Sequence, residues 1–161
     1  MGGTALITDS ALEMREALPL GGGLLGLDLG TKTIGIATCD AGWRFATAGK
    51  TLARGKFGRD REALAALIGE RDIKGIVIGL PRNMDGSEGP RAQASRAYAR
   101  NLAEAFGLPV LLWDERWSTQ SAEAAMIGQD MSRAKRAERI DSHAAAVILQ
   151  GAIDTLAGGT L

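Results

Sequence analysis

The stretch LLGLDLGTKTIGIATC, residues 24–39, decides the fold of this chain. It contains two short apolar runs, 24–30 and 33–39, separated by Thr31 and Lys32, and a third β-type run follows across Trp43–Leu52. Three such runs with tight breaks between them predict an antiparallel meander. We therefore expect the main domain to begin with three antiparallel strands.

Further along the chain, helical and strand patterns alternate. Helical spacing of apolar residues covers 59–70, 90–106, 118–127 and 139–156. The continuous apolar runs 75–80 and 109–113 lie between them and are typical of strands that are covered on both faces. The predicted order βββ-α-β-α-β-α-α indicates an α/β fold whose sheet has an antiparallel edge.

Length and composition limit the classes of protein to consider. The chain has 161 residues, of which 45% are hydrophobic, and this favours one soluble domain over two. Residues 1–23 include Pro19 and three consecutive glycines, so we expect a flexible N-terminal extension followed by a single domain over 24–161. The single cysteine, Cys39, excludes an internal disulfide and favours a reducing cytoplasm. No apolar run of about 18 residues predicts a membrane span.

Acidic residues stand at the ends of predicted buried segments. Asp28 lies inside GLDLG, where strand alternation places it on the same face as two glycines. Asp114 and Glu115 directly follow the strand PVLLW, and alternation allows only one of them to share the face of Asp28. Asp141 lies near the start of the last helical pattern, whose alanines allow close approach to a sheet. Each acid also has a purely structural interpretation, as a turn, helix-terminus or ion-pair residue.

Convergent carboxylates without a histidine or cysteine cluster suit hard cations such as Mg²⁺ or Mn²⁺. One or two such ions activate water and stabilise the leaving oxygen in phosphodiester hydrolysis. The sequence therefore predicts a metal-dependent phosphodiesterase whose metal-binding catalytic residues are Asp28, Asp141 and one of Asp114 and Glu115.

Basic residues around these acids are candidates for contacts to phosphate groups. Lys+Arg and Asp+Glu are 19 each, and this balance excludes a grossly basic coat protein. Outside residues 1–23 and the four candidate acids, however, the chain holds 18 basic and 12 acidic residues. Seven aromatic residues are too few for a base-stacking platform, so backbone contacts are expected. The candidate substrate-binding residues are Lys32, Arg82, Asn83, Arg91, Arg116, Arg133, Lys135, Arg136 and Arg139.

Four motifs together resemble the YqgF/RuvX family of pre-16S rRNA nucleases, which is related to the Holliday junction resolvases. They are GLDLGTKTIGIA, IVIGLPRNMDGSEGPRAQ, LLWDERWSTQSAE and AERIDSHAAAVILQ, and the resemblance covers about residues 24–154. It implies a ribonuclease H-like fold with a mixed five-stranded sheet, three strands antiparallel and then two parallel, and helices on both faces. Likeness to the resolvases favours Glu115 over Asp114 as the metal ligand.

The resemblance also implies a substrate and partners. The expected function is processing of the 5′ end of precursor 16S rRNA, with structured RNA and ribosomal precursor particles as partners and no membrane. The alternatives are a resolvase acting on four-way DNA junctions and a non-catalytic, transcription-associated nucleic-acid-binding factor. A monomer and a homodimer are both compatible with the sequence.

Overall fold

The computed structural model describes residues 6–19, 22–40, 42–115 and 133–158, and in the last range it describes side chains for 143–156. The elements in chain order are β1 (Ile7–Thr8), α1 (Ala11–Ala17), β2 (Gly23–Leu29), β3 (Thr33–Cys39), β4 (Thr47–Ala48), β5 (Leu52–Ala53), α2 (Phe57–Glu70), β6 (Ile73–Leu80), α3 (Pro90–Phe106), β7 (Val110–Asp114) and α4 (Arg133–Gly158).

One mixed sheet connects the strands in the order β1-β7-β6-β2-β3-β4, with β5 also paired to β3. Strand β3 is antiparallel to β2, β4 and β5, whereas β6 is parallel to both β2 and β7. The predicted α/β fold, antiparallel at one edge and parallel beyond it, is confirmed. The sheet has seven strands in the described residues instead of five, because the third antiparallel run is divided into β4 and β5 and because β1 adds to the edge beside β7.

The third predicted strand is interrupted at its start. Trp43 has a positive φ of 50°, which removes it from the extended conformation, and its indole N–H donates to the carbonyl of Gly22 at 2.9 Å. The backbone around it is bound by Gln150 of α4, which accepts from the Ala46 N–H at 2.8 Å and donates to the Arg44 carbonyl at 2.9 Å. The side chain of Gln150 therefore satisfies backbone groups of residues 44 and 46 that the predicted strand would have paired with a neighbouring strand.

The N-terminal segment contributes to the fold from residue 7 onward, which differs from the expected flexible extension. Ile7 pairs in parallel with Val110 of β7. Helix α1 is capped by Ser10, whose hydroxyl accepts from the Glu13 N–H at 3.3 Å, and it buries Met14 completely. A two-residue strand has no visible periodicity, so its pairing depends on tertiary packing that a local pattern does not report.

Helices cover both faces of the sheet, as expected. Alternation in β2 directs Leu25, Leu27 and Leu29 toward α2 and α3, where they join one buried cluster. The opposite face packs against α4 and α1 and contains a second cluster, which includes Leu24, Val77, Leu111, Trp113, Ile148 and Leu149. The sheet is therefore buried on both sides, which explains the continuous apolar run in β6.

Helix α4 approaches the sheet closely because two strand residues have no side chain. A Cβ added at Gly26 would lie 2.8 Å from the Cβ of Leu149, and one added at Gly79 would lie 2.8 Å from Cδ1 of Ile148. The helix begins at Arg133, six residues before the predicted start at Arg139, so residues 133–139 of the basic cluster are part of the helix. The helix predicted over 118–127 lies outside the described residues.

Candidate active site

The candidate acids lie where the parallel strands end. Asp28 is the penultimate residue of β2, Asp114 is the last residue of β7, and Glu115 follows it. Strand β6 separates β2 from β7, so a side chain from β7 must cross β6 to reach Asp28. Gly79 of β6 opens this path, because a Cβ at that position would lie 3.0 Å from both Cγ and Cδ of Glu115.

Glu115 and Asp28 meet on the face of the sheet that carries α4. Their carboxyl groups lie within hydrogen-bonding contact of each other. Burial, followed by the charge of Asp28 and this contact, raises the pKa of Glu115 to about 7, and the nearby guanidinium of Arg91 acts in the opposite direction. Two carboxyl groups in contact concentrate negative charge when both are ionised, and a bound cation would relieve the repulsion between them.

Asp114 lies on the other face, because consecutive strand residues point in opposite directions. Its side chain is only 2% exposed, and Oδ2 lies 3.5 Å from Nη1 of Arg82. The same guanidinium contacts Glu88 at 3.3 Å and Asp9 at 3.4 Å. The structure thus brings Glu115 to Asp28 and places Asp114 in an ion-pair network with Arg82.

The loop over residues 81–89 is held by its own polar groups. The Asn83 N–H donates to the carbonyl of Ser87 at 2.8 Å, and the Asn83 amide donates to the Ser87 hydroxyl at 3.0 Å. Glu88 accepts two hydrogen bonds from Arg96, at 2.6 and 2.7 Å, and these bonds, with those from Arg82, lower the pKa of Glu88 to about 2. Asn83 and Arg82 therefore shape the loop directly.

Arg91 and Lys32 lie at the end of β2. The Arg91 guanidinium donates to the carbonyl of Leu29 at 3.5 Å, next to Asp28, and Lys32 is exposed in the turn between β2 and β3. A third basic residue, Arg54, was not singled out by the sequence reasoning. Its Nη1 donates to the carbonyl of Gly30 at 2.7 Å.

With this geometry in hand, comparison with known proteins identifies the family. Residues 22–155 match the model of a family described as RuvX, Holliday junction resolvase. The chain belongs to the RuvX family. This confirms the resemblance inferred from the four motifs.

Similar RuvX-family relatives carry the name "Putative pre-16S rRNA nuclease". The protein from Novosphingobium aromaticivorans is 71% identical over 153 residues, which are 95% of this chain and 98% of that protein. The protein from Sphingopyxis alaskensis is 62% identical over 151 residues, covering 94% of this chain and 99% of the relative.

A solved structure, T. thermophilus RuvC in complex with Holliday junction substrate, has a similar fold. Its TM-score is 0.53 at 14% sequence identity, over 86% of this chain and 97% of that one. At this identity the likeness shows the fold alone, and it places this RuvX-family chain in the RuvC and ribonuclease H-like fold group. Among the described residues, no helix has the length and apolar character needed to cross a membrane.

Several predicted site residues of this RuvX-family chain lie outside the residues or side chains that the structure describes. They are Arg116 and the side chains of Arg133, Lys135, Arg136, Arg139 and Asp141. The backbone of α4 places Asp141 one helical turn before Ala145, whose carbonyl lies 3.2 Å from the position of a Cβ at Gly26. Among the side chains that are described, no group of three or more acids, histidines and cysteines is arranged to hold a metal ion.

Proposed function

We propose that this RuvX-family chain is a cytoplasmic, divalent-metal-dependent nuclease that hydrolyses phosphodiester bonds in structured RNA and processes the 5′ end of precursor 16S rRNA. The observation that carries this proposal is the Asp28–Glu115 pair. Two carboxyl groups from the ends of different strands contact each other beside Gly79, at the carboxyl end of the parallel strands, where α/β proteins bind ligands.

The donor set fits a hard divalent cation. Asp28 and Glu115 offer carboxylate oxygens only, which favours Mg²⁺ or Mn²⁺ over softer metals. Asp141 is the proposed third ligand, supported by its position one turn before Ala145, whose carbonyl lies close to Gly26 of β2. One or two ions held there would supply Lewis-acid activation of water and stabilise the charge that develops on the leaving oxygen.

The basic and polar candidate residues are proposed to bind the substrate or to shape the loop beside it. Arg91 lies near Glu115 and is proposed to contact a phosphate group, together with Lys32 and Arg116. Arg82 and Asn83 act by fixing loop 81–89, because their polar groups are already engaged there. The basic residues 133–139 of α4 precede Asp141 and are proposed to bind more distant phosphates.

Asp28→Asn tests the catalytic assignment. The amide keeps the size of the side chain, so the fold should persist, but Mg²⁺-dependent cleavage should be lost because one charged ligand is gone. Asp72→Asn is the matched control, because Asp72 is 75% exposed and precedes β6 at the opposite end of the sheet, so cleavage should be unchanged. Undiminished Mg²⁺-dependent cleavage by Asp28→Asn would overturn the assignment.

A four-way DNA junction is the second candidate substrate, favoured by the description of the family model and by the fold of the junction-bound RuvC. Both activities would use the same acids, so the substrate must be tested directly. We expect the purified chain to cut precursor 16S rRNA, and cleavage of the four-way junction alone would favour the resolvase. A resolvase cuts two strands and needs two sites, so a homodimer in a sizing experiment would also favour it over a monomeric rRNA nuclease.

A further inference from the structure

We propose that Arg54 and Arg91 form a phosphate-binding cleft beside the acidic pair, which holds a phosphate group of the nucleic-acid strand next to the bond that is cleaved. This inference rests on the proposed function, and it adds a binding subsite that is separate from the metal-binding acids. Arg54 is its central residue.

The cleft lies where β2 ends and α3 begins. Its volume is about 150 Å³, and its lining includes the turn residues Gly30 and Thr31 together with Arg54 and Arg91. Sites for drug-sized molecules are typically about 300–1,000 Å³, so this cleft suits a single small group and not a whole nucleotide. Gly30 is two residues beyond Asp28, about 7 Å along the backbone, which places the cleft next to the acidic pair.

The guanidinium of Arg54 is held in place before any ligand binds. Its Nη1 donates to the Gly30 carbonyl at 2.7 Å, and its Cζ lies 5.9 Å from the centroid of the Tyr98 ring. The Tyr98 hydroxyl donates to the buried carboxylate of Asp60 at 3.0 Å, and Asp60 also accepts from the Gly55 N–H at 3.2 Å. A fixed guanidinium loses little side-chain entropy when an anion binds.

The partners of Arg54 and Arg91 differ from those of the other two arginines near the site. Arg82 and Arg96 contact carboxylates, which neutralise their charge. The hydrogen bonds of Arg54 and Arg91 described above go to main-chain carbonyls, which carry no net charge. A guanidinium has five N–H donors, so each retains donors that can bind a phosphate oxygen, and this geometry suits bidentate contacts.

The experiment measures binding without cleavage. The probe is a short single-stranded RNA with a 3′ fluorophore, made with either a 5′-hydroxyl or a 5′-phosphate, and it is titrated with the full chain in EDTA over a range of salt concentrations. We expect Arg54→Gln and Arg91→Gln each to weaken binding about 10-fold at low salt and to reduce the slope of log K against log salt by about 0.7. Arg100→Gln, which removes an exposed charge from the same helix α3, should change affinity less than about 2-fold.

The two probes distinguish the sources of the phosphate. A 5′-phosphate that strengthens binding to the unaltered chain but not to Arg54→Gln assigns the cleft to a terminal phosphate. Equal loss of affinity with both probes assigns it to an internal phosphodiester. Unaltered affinity and salt slope in both Arg54→Gln and Arg91→Gln would overturn the proposal. Arg91→Gln keeps it testable should Arg54→Gln fail to fold, because Arg91 is exposed.

Failure of the cleft can be told from failure of the proposed function. Because EDTA removes divalent cations, this binding does not depend on the metal site. If the chain binds RNA through Arg54 but cuts neither RNA nor DNA with Mg²⁺, the proposed cleft is supported and the proposed nuclease function is contradicted. If the chain cuts nucleic acid but substitution of Arg54 or Arg91 does not change binding, the proposed nuclease function is supported and the proposed cleft is contradicted.

Discussion

Asp114 and Glu115 are adjacent in the sequence and have opposite environments. Asp114 points to the α3 face, where it pairs with Arg82, and Glu115 points to the α4 face, where it contacts Asp28. One carboxylate is thereby used to hold loop 81–89 and the edge of the sheet together. The other lies against a second acid, which together with burial raises its pKa to about 7. The comparison teaches that strand alternation and the nearest charge, not residue type, decide which acid is available to a cation.

The largest effect is expected when the two carboxylates are neutralised separately. Glu115→Gln should reduce Mg²⁺-dependent cleavage more than about 100-fold, because it removes a direct metal ligand. Mutation of a residue that only hydrogen-bonds to a metal ligand typically lowers activity by about 10–100-fold. Asp114→Asn should reduce cleavage less than about 10-fold, because its contact is with Arg82. Initial rates on one RNA substrate at saturating Mg²⁺ would measure both. A greater loss for Asp114→Asn than for Glu115→Gln would reverse the assignment.

Gly79→Ala should obstruct the path by which Glu115 reaches Asp28. The new methyl group would lie 2.8 Å from Ile148 and 3.0 Å from Glu115, closer than Cβ atoms normally approach other atoms. We expect a loss of about 1–3 kcal/mol in the free energy of unfolding and at least a 10-fold loss of cleavage, measured by thermal melting and initial rates.

Gly69→Ala is the matched control for this substitution. Nothing lies within 4 Å of a Cβ at Gly69 in α2, so stability should stay equal or rise, and cleavage should not change. Full cleavage by Gly79→Ala would show that Glu115 does not need to cross β6 at this point.

A smaller effect is expected in the pH dependence of stability without metal. The pKa of Glu115 is raised to about 7 in the folded chain from an ordinary 4.5, so the folded state binds this proton more tightly than the unfolded state. The resulting stability is fully present below about pH 4.5 and is lost as the pH rises through 7. The side-chain amide in Glu115→Gln does not titrate, so this contribution to the pH dependence of stability is absent from the variant.

Thermal melts in EDTA at pH 5 and pH 8 would measure this effect. Relative to the unaltered chain, Glu115→Gln should gain about 2 kcal/mol between the two pH values, which corresponds to about 4–8 °C in Tm. A difference in Tm that is the same at both pH values would contradict the raised pKa of Glu115.

Much of the fold and half of the site could be predicted because both depend on local periodicity. Alternation in GLDLG correctly placed Asp28 on the face of Gly26, and the apolar runs located the parallel strands. Alternation also required that only one of Asp114 and Glu115 face Asp28. It could not choose between them, because VLLW is apolar on both faces and so does not reveal which face α4 covers.

The remaining features depend on contacts that are distant in the sequence. Arg82 was a candidate for phosphate binding, but Asp9 and Asp114, 73 and 32 residues away, engage its guanidinium. Arg54 follows a two-residue strand and has no motif around it, so its place beside Gly30 was not visible. Gly79 did offer a signal, because a glycine inside a buried strand indicates close approach by another group.

The most direct test of the account is calorimetric titration of Mn²⁺ into the unaltered chain, Asp114→Asn and Glu115→Gln at pH 8, where Glu115 is largely ionised. We predict that Asp114→Asn binds Mn²⁺ within about 3-fold of the unaltered chain and that Glu115→Gln binds it more than about 10-fold more weakly. Equal Mn²⁺ affinity in Glu115→Gln and the unaltered chain, or loss of binding in Asp114→Asn alone, would contradict the assignment of Glu115 and Asp28 as the metal-binding pair.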